Sequence, residues 1–318
     1  MRMSSPTLFT ESQVRRAVGM VEAIRSARTA FRALASGTAT SPAPWHLDVA
    51  AHDGAVHVKG AVLDHEQYFA VKASTGYPGN AAMGLPTSDG MTMVFDSSTG
   101  RLVAVMLDGG YLTELRTGAA GALALDLLAP AQIDSIAIIG TGGQARYQVA
   151  GAMAVRKPRT ITIYGRNTGQ AALLAAWVRG NFDVCVRTAR LDGQRIDADA
   201  IITITSARHP VLTVDQVRPG TQVISAGADS PGKRELDPAL VCEADIIAVD
   251  ILTQSRTLGE LQGIADERLR AAPITIGDLL LRGAPPRTSG QISIADLSGT
   301  GAQDAAIASE AVRRLIDV

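Results

Sequence analysis

Ser135-Ile136-Ala137-Ile138-Ile139-Gly140-Thr141-Gly142-Gly143-Gln144-Ala145 decides the architecture of this chain. The apolar run Ser135–Ile139 predicts a buried strand, and a helical pattern opens at 144–156 directly after the glycines. Thr160–Tyr164 then reads as a strand, 168–180 as a helix and Val184–Thr188 as a strand. Strands that alternate with helices build a parallel, doubly wound sheet. In that setting Gly140-x-Gly142-x-x-Ala145 reads as a turn that cradles a pyrophosphate. Gly140 permits the tight turn, and Gly142 lets the backbone approach the phosphates. Gly143 belongs to the same loop, Gln144 opens the helix, and Ala145 allows close helix–strand packing. Unpaired N–H groups at a helix start attract an anion. The expected ligand is a nicotinamide dinucleotide, used for redox chemistry on a small molecule.

The end of the second strand should read the ribose of such a cofactor. An NAD site usually has an acid there, bonding the 2′-hydroxyl. Here the run is Tyr164-Gly165-Arg166-Asn167, with no acid. Arg166, with Asn167 beside it, offers a fork for a 2′-phosphate. The reading favours NADP(H). NAD(H) remains open if Arg166 is only a solvated loop arginine.

Ala200–Thr205, Gln222–Ser225 and Asp245–Val249 extend the series of short apolar strands. Upstream the pattern differs. Residues 10–36 read as one helix, with Thr10 and Gln13 as a capping box. Residues 38–54 read as extended or looped. Val56–Lys59, Tyr68–Ala73, Met91–Asp96 and Leu102–Leu107 follow one another without helices between them, which predicts an antiparallel sheet. A helix over 111–128 is rich in small residues that let another backbone pack closely, and Pro130 ends it. An amphipathic helix at about 301–316 can return to the N-terminal region.

Bulk properties exclude several functions. The 318 residues carry a net charge of −1, so there is no basic field for nucleic acid or a membrane surface. Aromatic residues make up only 4%, too few for base-stacking platforms. No apolar run reaches the ~18 residues of a membrane span. Five scattered histidines give no metal-ligand spacing. Cys185 and Cys242 read as small buried apolar side chains, and a reducing cytoplasm fits them.

Four charged positions stand out. Arg116 shares a helix face with Leu112, Ala119, Ala120, Leu123 and Leu127, where an unpaired guanidinium is costly. Either a protein carboxylate or a bound carboxylate or phosphate must offset it. Lys72 shares a strand face with Tyr68 and Ala70; from pattern alone it reads as solvent-facing. Lys59 lies with His57 on the neighbouring strand, and the same reading applies. Asp229 sits in the glycine-rich run Ser225–Lys233 after a strand, where parallel sheets bind ligands. It is either a proton carrier beside a nicotinamide or a turn-forming residue.

Several segments together resemble the ornithine cyclodeaminase/mu-crystallin family over nearly the whole chain. They are Ala70-Val71-Lys72, Gly84-Leu85-Pro86-Thr87, Tyr111–Thr117, Ile139–Ala145, Ala228-Asp229-Ser230-Pro231-Gly232-Lys233 and Asp296-Leu297-Ser298-Gly299-Thr300-Gly301. The resemblance implies an α/β fold. A Rossmann doubly wound parallel sheet over 130–295 would carry the cofactor. A discontinuous α+β substrate-binding and dimerisation domain would come from 1–129 and 296–318. It implies a homodimer acting on a small amino or imino acid. Lys72 and Arg116 would hold the substrate carboxylate, and Asp229 would be the catalytic acid/base. Thr87, Arg116, Gln144, Thr205, Asp229 and Lys233 would lie near the cofactor.

Three departures bear on the reaction. Ser41–His46 lacks the arginine that cyclodeaminases of the family use, Gly165 stands where an NAD-using cyclodeaminase has Asp, and Leu297 replaces a small polar residue. Lys59 would then substitute for the missing arginine or read an acidic substrate. The favoured reading is an imine or ketimine reductase, equivalently an amino-acid dehydrogenase. The alternatives are ornithine cyclodeaminase and a non-catalytic, mu-crystallin-like binding protein.

Overall fold

A computed structural model describes residues 5–316. The chain up to Arg116, with the stretch from Thr300, makes one compact unit, and Thr117–Gly299 makes the other.

The first unit begins with β1 (Thr7–Thr10), α1 (Glu11–Ala17) and α2 (Met20–Ser36). The strands β2 (Ala39–Thr40), β3 (Trp45–Val49), β4 (Gly54–Leu63), β5 (Tyr68–Gly76), β6 (Ser88–Asp96) and β7 (Leu102–Leu107) follow, then α3 (Tyr111–Leu128), which belongs to this unit up to Arg116 and to the second unit from Thr117. Their sheet runs β1-β7-β6-β5-β4-β2, with β3 also paired to β4. It is antiparallel as expected, except that β1 adds to the β7 edge in parallel. The expected single helix over 10–36 is broken. Val18 is fully buried in extended conformation, and Gly19 is the extended N-cap of α2. The Glu22 carboxylate accepts the Gly19 N–H at 3.1 Å, so a second capped start interrupts the helical pattern.

The second unit is built from β8 (Ser135–Ile139), α4 (Gly143–Val155), β9 (Thr160–Tyr164), α5 (Thr168–Asn181), β10 (Cys185–Ala189) and β11 (Ala200–Thr203). It continues through β12 (Gln222–Ser225), α6 (Pro238–Glu243), β13 (Ile246–Val249), α7 (Leu252–Leu258), β14 (Ile274–Thr275), α8 (Ile276–Arg282) and β15 (Ser293–Asp296). The sheet order is β10-β9-β8-β11-β12-β15-β13-β14, and its strand pairs are parallel. Ala137, Ile139, Ile201, Val223, Ile247 and Ile294 lie on one buried face of it. The strand β15, which the sequence pattern did not suggest, slots between β12 and β13. Cys185 is exposed, contrary to expectation, because β10 is an edge strand with one open face, whereas Cys242 on α6 is half-buried and packs against the core. The last element, α9 (Gly301–Ile316), packs on α2, β4 and β5 of the first unit.

Buried carboxylates gather the strand ends of the second unit. Glu235 accepts from the Thr203 hydroxyl at 2.9 Å, Thr205 N–H at 2.5 Å, Ser225 hydroxyl at 3.0 Å and Gly227 N–H at 2.7 Å. Glu260 also meets the Ser225 hydroxyl, at 2.8 Å, and accepts from Glu235 N–H at 2.9 Å. One hydroxyl has one proton, so these two carboxyls share a single Ser225 donor. Burial pushes both upward, Glu260 to about 7.

Small residues matter most where α3 crosses α4. A Cβ on Gly118 would lie 2.4 Å from the Tyr147 carbonyl oxygen, and one on Gly151 the same distance from that of Gly118. Both obstacles are backbone and neither can rotate away. Gly118→Ala is therefore expected to destabilise the protein by about 1–3 kcal/mol through overpacking. Denaturant titration would read this as a lower midpoint at unchanged slope; an unchanged midpoint would count against the close approach.

Candidate active site

Alternation along β5 turns Tyr68, Ala70 and Lys72 to the face covered by α9. Lys72 is only 4% exposed there, so its solvent-facing reading from pattern is corrected. Arg116, on α3, is likewise buried. The partner of both is Asp304, in the first turn of α9. Its Oδ2 lies 2.9 Å from Lys72 Nζ, and its Oδ1 accepts from Arg116 Nε at 3.0 Å. Of the two ways to offset Arg116, the protein carboxylate is thus present.

Asp304 escaped notice in the sequence, although an acid within Gly301-Ala302-Gln303-Asp304-Ala305-Ala306 was its signal. The local sequence fixes it firmly. Gln303 Oε1 accepts from Thr300 N–H at 3.0 Å, and Thr300 Oγ1 accepts from Gln303 N–H at 3.2 Å. This reciprocal cap starts the helix. Gly301 seats that start on β4, since a Cβ there would lie 2.4 Å from the Gly60 carbonyl oxygen.

Charge is unevenly distributed around Asp304. Lys59 stands directly across the strand pair from Lys72. Burial pushes Lys72 down to about 8; Asp304 pulls it back up, while Arg116 and Lys59 press it lower. Burial also works against the Asp304 carboxylate, but Lys72, Arg116 and Lys59 outweigh it and hold the group below its ordinary range. Asp108 nearby is pushed up by burial, against the Leu112 N–H that it accepts. Chemically, an ammonium and a guanidinium side by side suit a carboxylate ligand.

The glycine turn of the second unit has the geometry its sequence required. Gly140 has φ +127°, and a Cβ there would lie 2.2 Å from the Ile204 carbonyl oxygen. Gly142 is the extended N-cap of α4, with open space where a side chain would stand. Gly143 and Gln144 form the first turn, and Ala145 is fully buried. With β9 on one side of β8 and β11 on the other, this turn lies at the switch point of the sheet. These features fit a dinucleotide pyrophosphate. Where a ribose reader is expected, Arg166 is exposed and Asn167 caps α5, its Oδ1 accepting from Gln170 N–H at 3.1 Å. Gly165 is confined: a Cβ would lie 2.7 Å from the Thr141 methyl.

Asp229 and Thr205 lie on the loops that follow β12 and β11. Lys233 Nζ is 2.6 Å from Asp229 Oδ1, and the Ser230 hydroxyl donates to the same oxygen at 3.1 Å. Glu235 ties down Thr205 and Gly227, one before and one within this loop system. Thr87 belongs to the first unit, where it is exposed and its carbonyl accepts the Tyr77 N–H at 2.8 Å. The structure therefore groups Lys72 with Arg116, and Asp229 with Lys233. Among the described residues no three potential metal ligands cluster, and no helix is long and apolar enough to cross a membrane.

Comparison with known proteins agrees with this geometry. Residues 5–316 match the model of the ornithine cyclodeaminase/mu-crystallin family. Iminosuccinate reductase of Paracoccus denitrificans is 31% identical, over 82% of each chain. The structure of Thermococcus litoralis Δ1-pyrroline-2-carboxylate reductase with NADH and L-proline superposes with a TM-score of 0.90 at 26% identity, covering 98% of both chains. An archaeal alanine dehydrogenase dimer with bound NAD gives a TM-score of 0.89 at 29% identity, over 98% of this chain and 96% of that one. The chain belongs to the ornithine cyclodeaminase/mu-crystallin family and is an NAD(P)-dependent oxidoreductase.

Proposed function

We propose that the protein is an NADP(H)-dependent reductase of small α-imino acids, equivalently an amino-acid dehydrogenase. The observation that carries this is the buried pair Lys72 and Arg116, two cations sharing one carboxylate. In this reading they bind the substrate carboxylate, Lys72 as a point charge and Arg116 as a fork, with Lys59 adding to the field. Asp229 moves the proton at the substrate nitrogen, and Lys233 holds its carboxylate ready. Gly140, Gly142, Gly143, Gln144 and Ala145 seat the pyrophosphate, with Thr87 and Thr205 as further cofactor contacts. The bound nicotinamide supplies or accepts the hydride. Free cysteines at 185 and 242 agree with a cytoplasmic protein.

NADP(H) is preferred on the character of the ribose end. Gly165 faces the Thr141 methyl, leaving little room for an acid that would bind a 2′-hydroxyl and repel a 2′-phosphate. Arg166 stands exposed to meet that phosphate. The protein also acts as a homodimer in this reading. Trp45, Val58, Ala73 and Met91 form one cross-strand row on the sheet face turned away from α9, with Phe69, Phe95, Val71 and Met93 beside it. Trp45 is 55% exposed and Met91 38%. A second copy covers that apolar face by pairing sheet on sheet.

The functional test is oxidation of NADPH with a panel of α-imino acids, beside ammonia release from ornithine. Turnover of an imino acid is expected, and Asp229→Asn should lower kcat by about 10²–10⁴. Ammonia release from ornithine without net change in cofactor would replace this reading by a cyclodeaminase. No turnover of either kind would leave a binding protein.

Arg166→Ala is expected to raise the KM for NADPH roughly tenfold or more and to leave that for NADH nearly unchanged. Equal effects on both cofactors would refute a 2′-phosphate contact.

Changing Trp45 and Met91 together to Lys should convert a dimer to a monomer in sedimentation equilibrium. A wild-type monomer, or a dimer that survives the double change, would exclude this face.

A further inference from the structure

We infer that Asp304 is a positioning residue for substrate binding, holding the Lys72 ammonium and the Arg116 guanidinium as a single carboxylate receptor. The inference rests on the carboxylate-binding role proposed above for those two cations and adds a residue that does not itself touch substrate.

Three observations support it. First, the two carboxylate oxygens are divided between the cations: Oδ1 goes to Arg116 Nε and Oδ2 to Lys72 Nζ. The contact to Arg116 uses the Nε edge, so Asp304 orients the guanidinium plane instead of covering its whole donor fork. Second, all three side chains are nearly excluded from water, at 4–6% exposure. Two like charges do not stay close in such a place without a counter-charge. Third, the carboxylate is held rigidly. The Thr300–Gln303 cap and the Gly301–Gly60 contact fix the first turn of α9, and Gln303 Nε2 donates to the Arg116 carbonyl oxygen at 3.5 Å. Asp304 is thus built into the same few residues that anchor the arginine.

The charged groups that act on this cluster come from several elements. Lys72 and Lys59 come from β5 and β4, Arg116 from α3, Asp108 from the turn before α3, and Asp304 from α9. Among these, Asp304 favours the charged form of Lys72, whereas burial, Arg116 and Lys59 disfavour it. Loss of its charge therefore has a definite sign. Lys72 then loses its proton at a lower pH. The receptor then weakens on the alkaline side and recovers on acidification.

The test is Asp304→Asn, read by the pH dependence of carboxylate binding. Pyruvate and L-proline serve as probes in titration calorimetry with cofactor present, alongside KM and kcat for the imino acid that the wild type turns over. For the wild type, affinity is expected to fall as pH rises through about 8. For Asp304→Asn the fall should begin about one unit or more lower. KM should rise roughly tenfold or more at pH 8, with a much smaller change in kcat and near-recovery in acid. Cofactor binding should be unchanged. A KM that is unaltered, lower, or raised equally at every pH would overturn the inference. If the Asn variant does not fold, Asp304→Glu carries the test. It keeps the charge but displaces it by a methylene, so KM should rise while the alkaline limb stays near the wild-type position; an unmoved KM would count against positioning. If the wild type turns over no imino acid, the reductase reading fails on its own, and the calorimetric arm still decides the role of Asp304.

Discussion

One buried carboxylate holds the charged cluster of the first unit together. Asp304 joins a strand, a helix start and the last helix, contributed from widely separated parts of the chain. Burying three charged side chains is costly, and mutual pairing recovers only part of that cost. Apolar residues would fill the same space more cheaply. In the proposed function the cluster is a binding device, its two cations beside one anion leaving charge for an anionic ligand.

The second unit handles buried charge differently. Glu235, Glu260 and Asp296 are close-set acids, and all three are pushed above the ordinary carboxylate range by burial. They are held by hydrogen bonds from hydroxyls and backbone N–H groups. Ser225 joins two of them, while Asp296 accepts from the Ser255 hydroxyl and the Glu260 N–H. Their common effect is to fix where strands end. Loop positions at the carboxyl edge of a parallel sheet are where ligands bind, so rigidity there has direct functional value. The two units therefore use buried acids for opposite ends: one to hold cations charged, the other to hold backbone still.

How much of this was legible in the sequence depended on the range of the interactions. The turn at Gly140 could be read because its constraints are local: a positive φ, a helix start and a close backbone neighbour all follow from adjacent residues. The small residues of α3 announced a close crossing, which Gly118 and Gly151 supply. Lys72 was misjudged from pattern because alternation identifies a face but not what covers it, and α9 lies far away in sequence. Asp304 was missed for the same reason. The break at Gly19 was hidden because apolar spacing runs on through it, and only the Glu22 cap reveals a new start. For β15, four residues are too few to show a period, and its place between β12 and β13 depends on the whole sheet.

The route of α9 also bears on the birth of the protein. Arg116 and Asp304 are 188 residues apart, and all of Thr117–Gly299 lies between them. At about 5–20 residues per second, a ribosome needs roughly 10–40 s to make that interval. Throughout that time the strands and helix that carry Lys59, Lys72 and Arg116 lack both their covering helix and their counter-charge. The nascent first unit must wait with those three cations uncovered while the second unit is made, and it can close only when Asp304 has emerged.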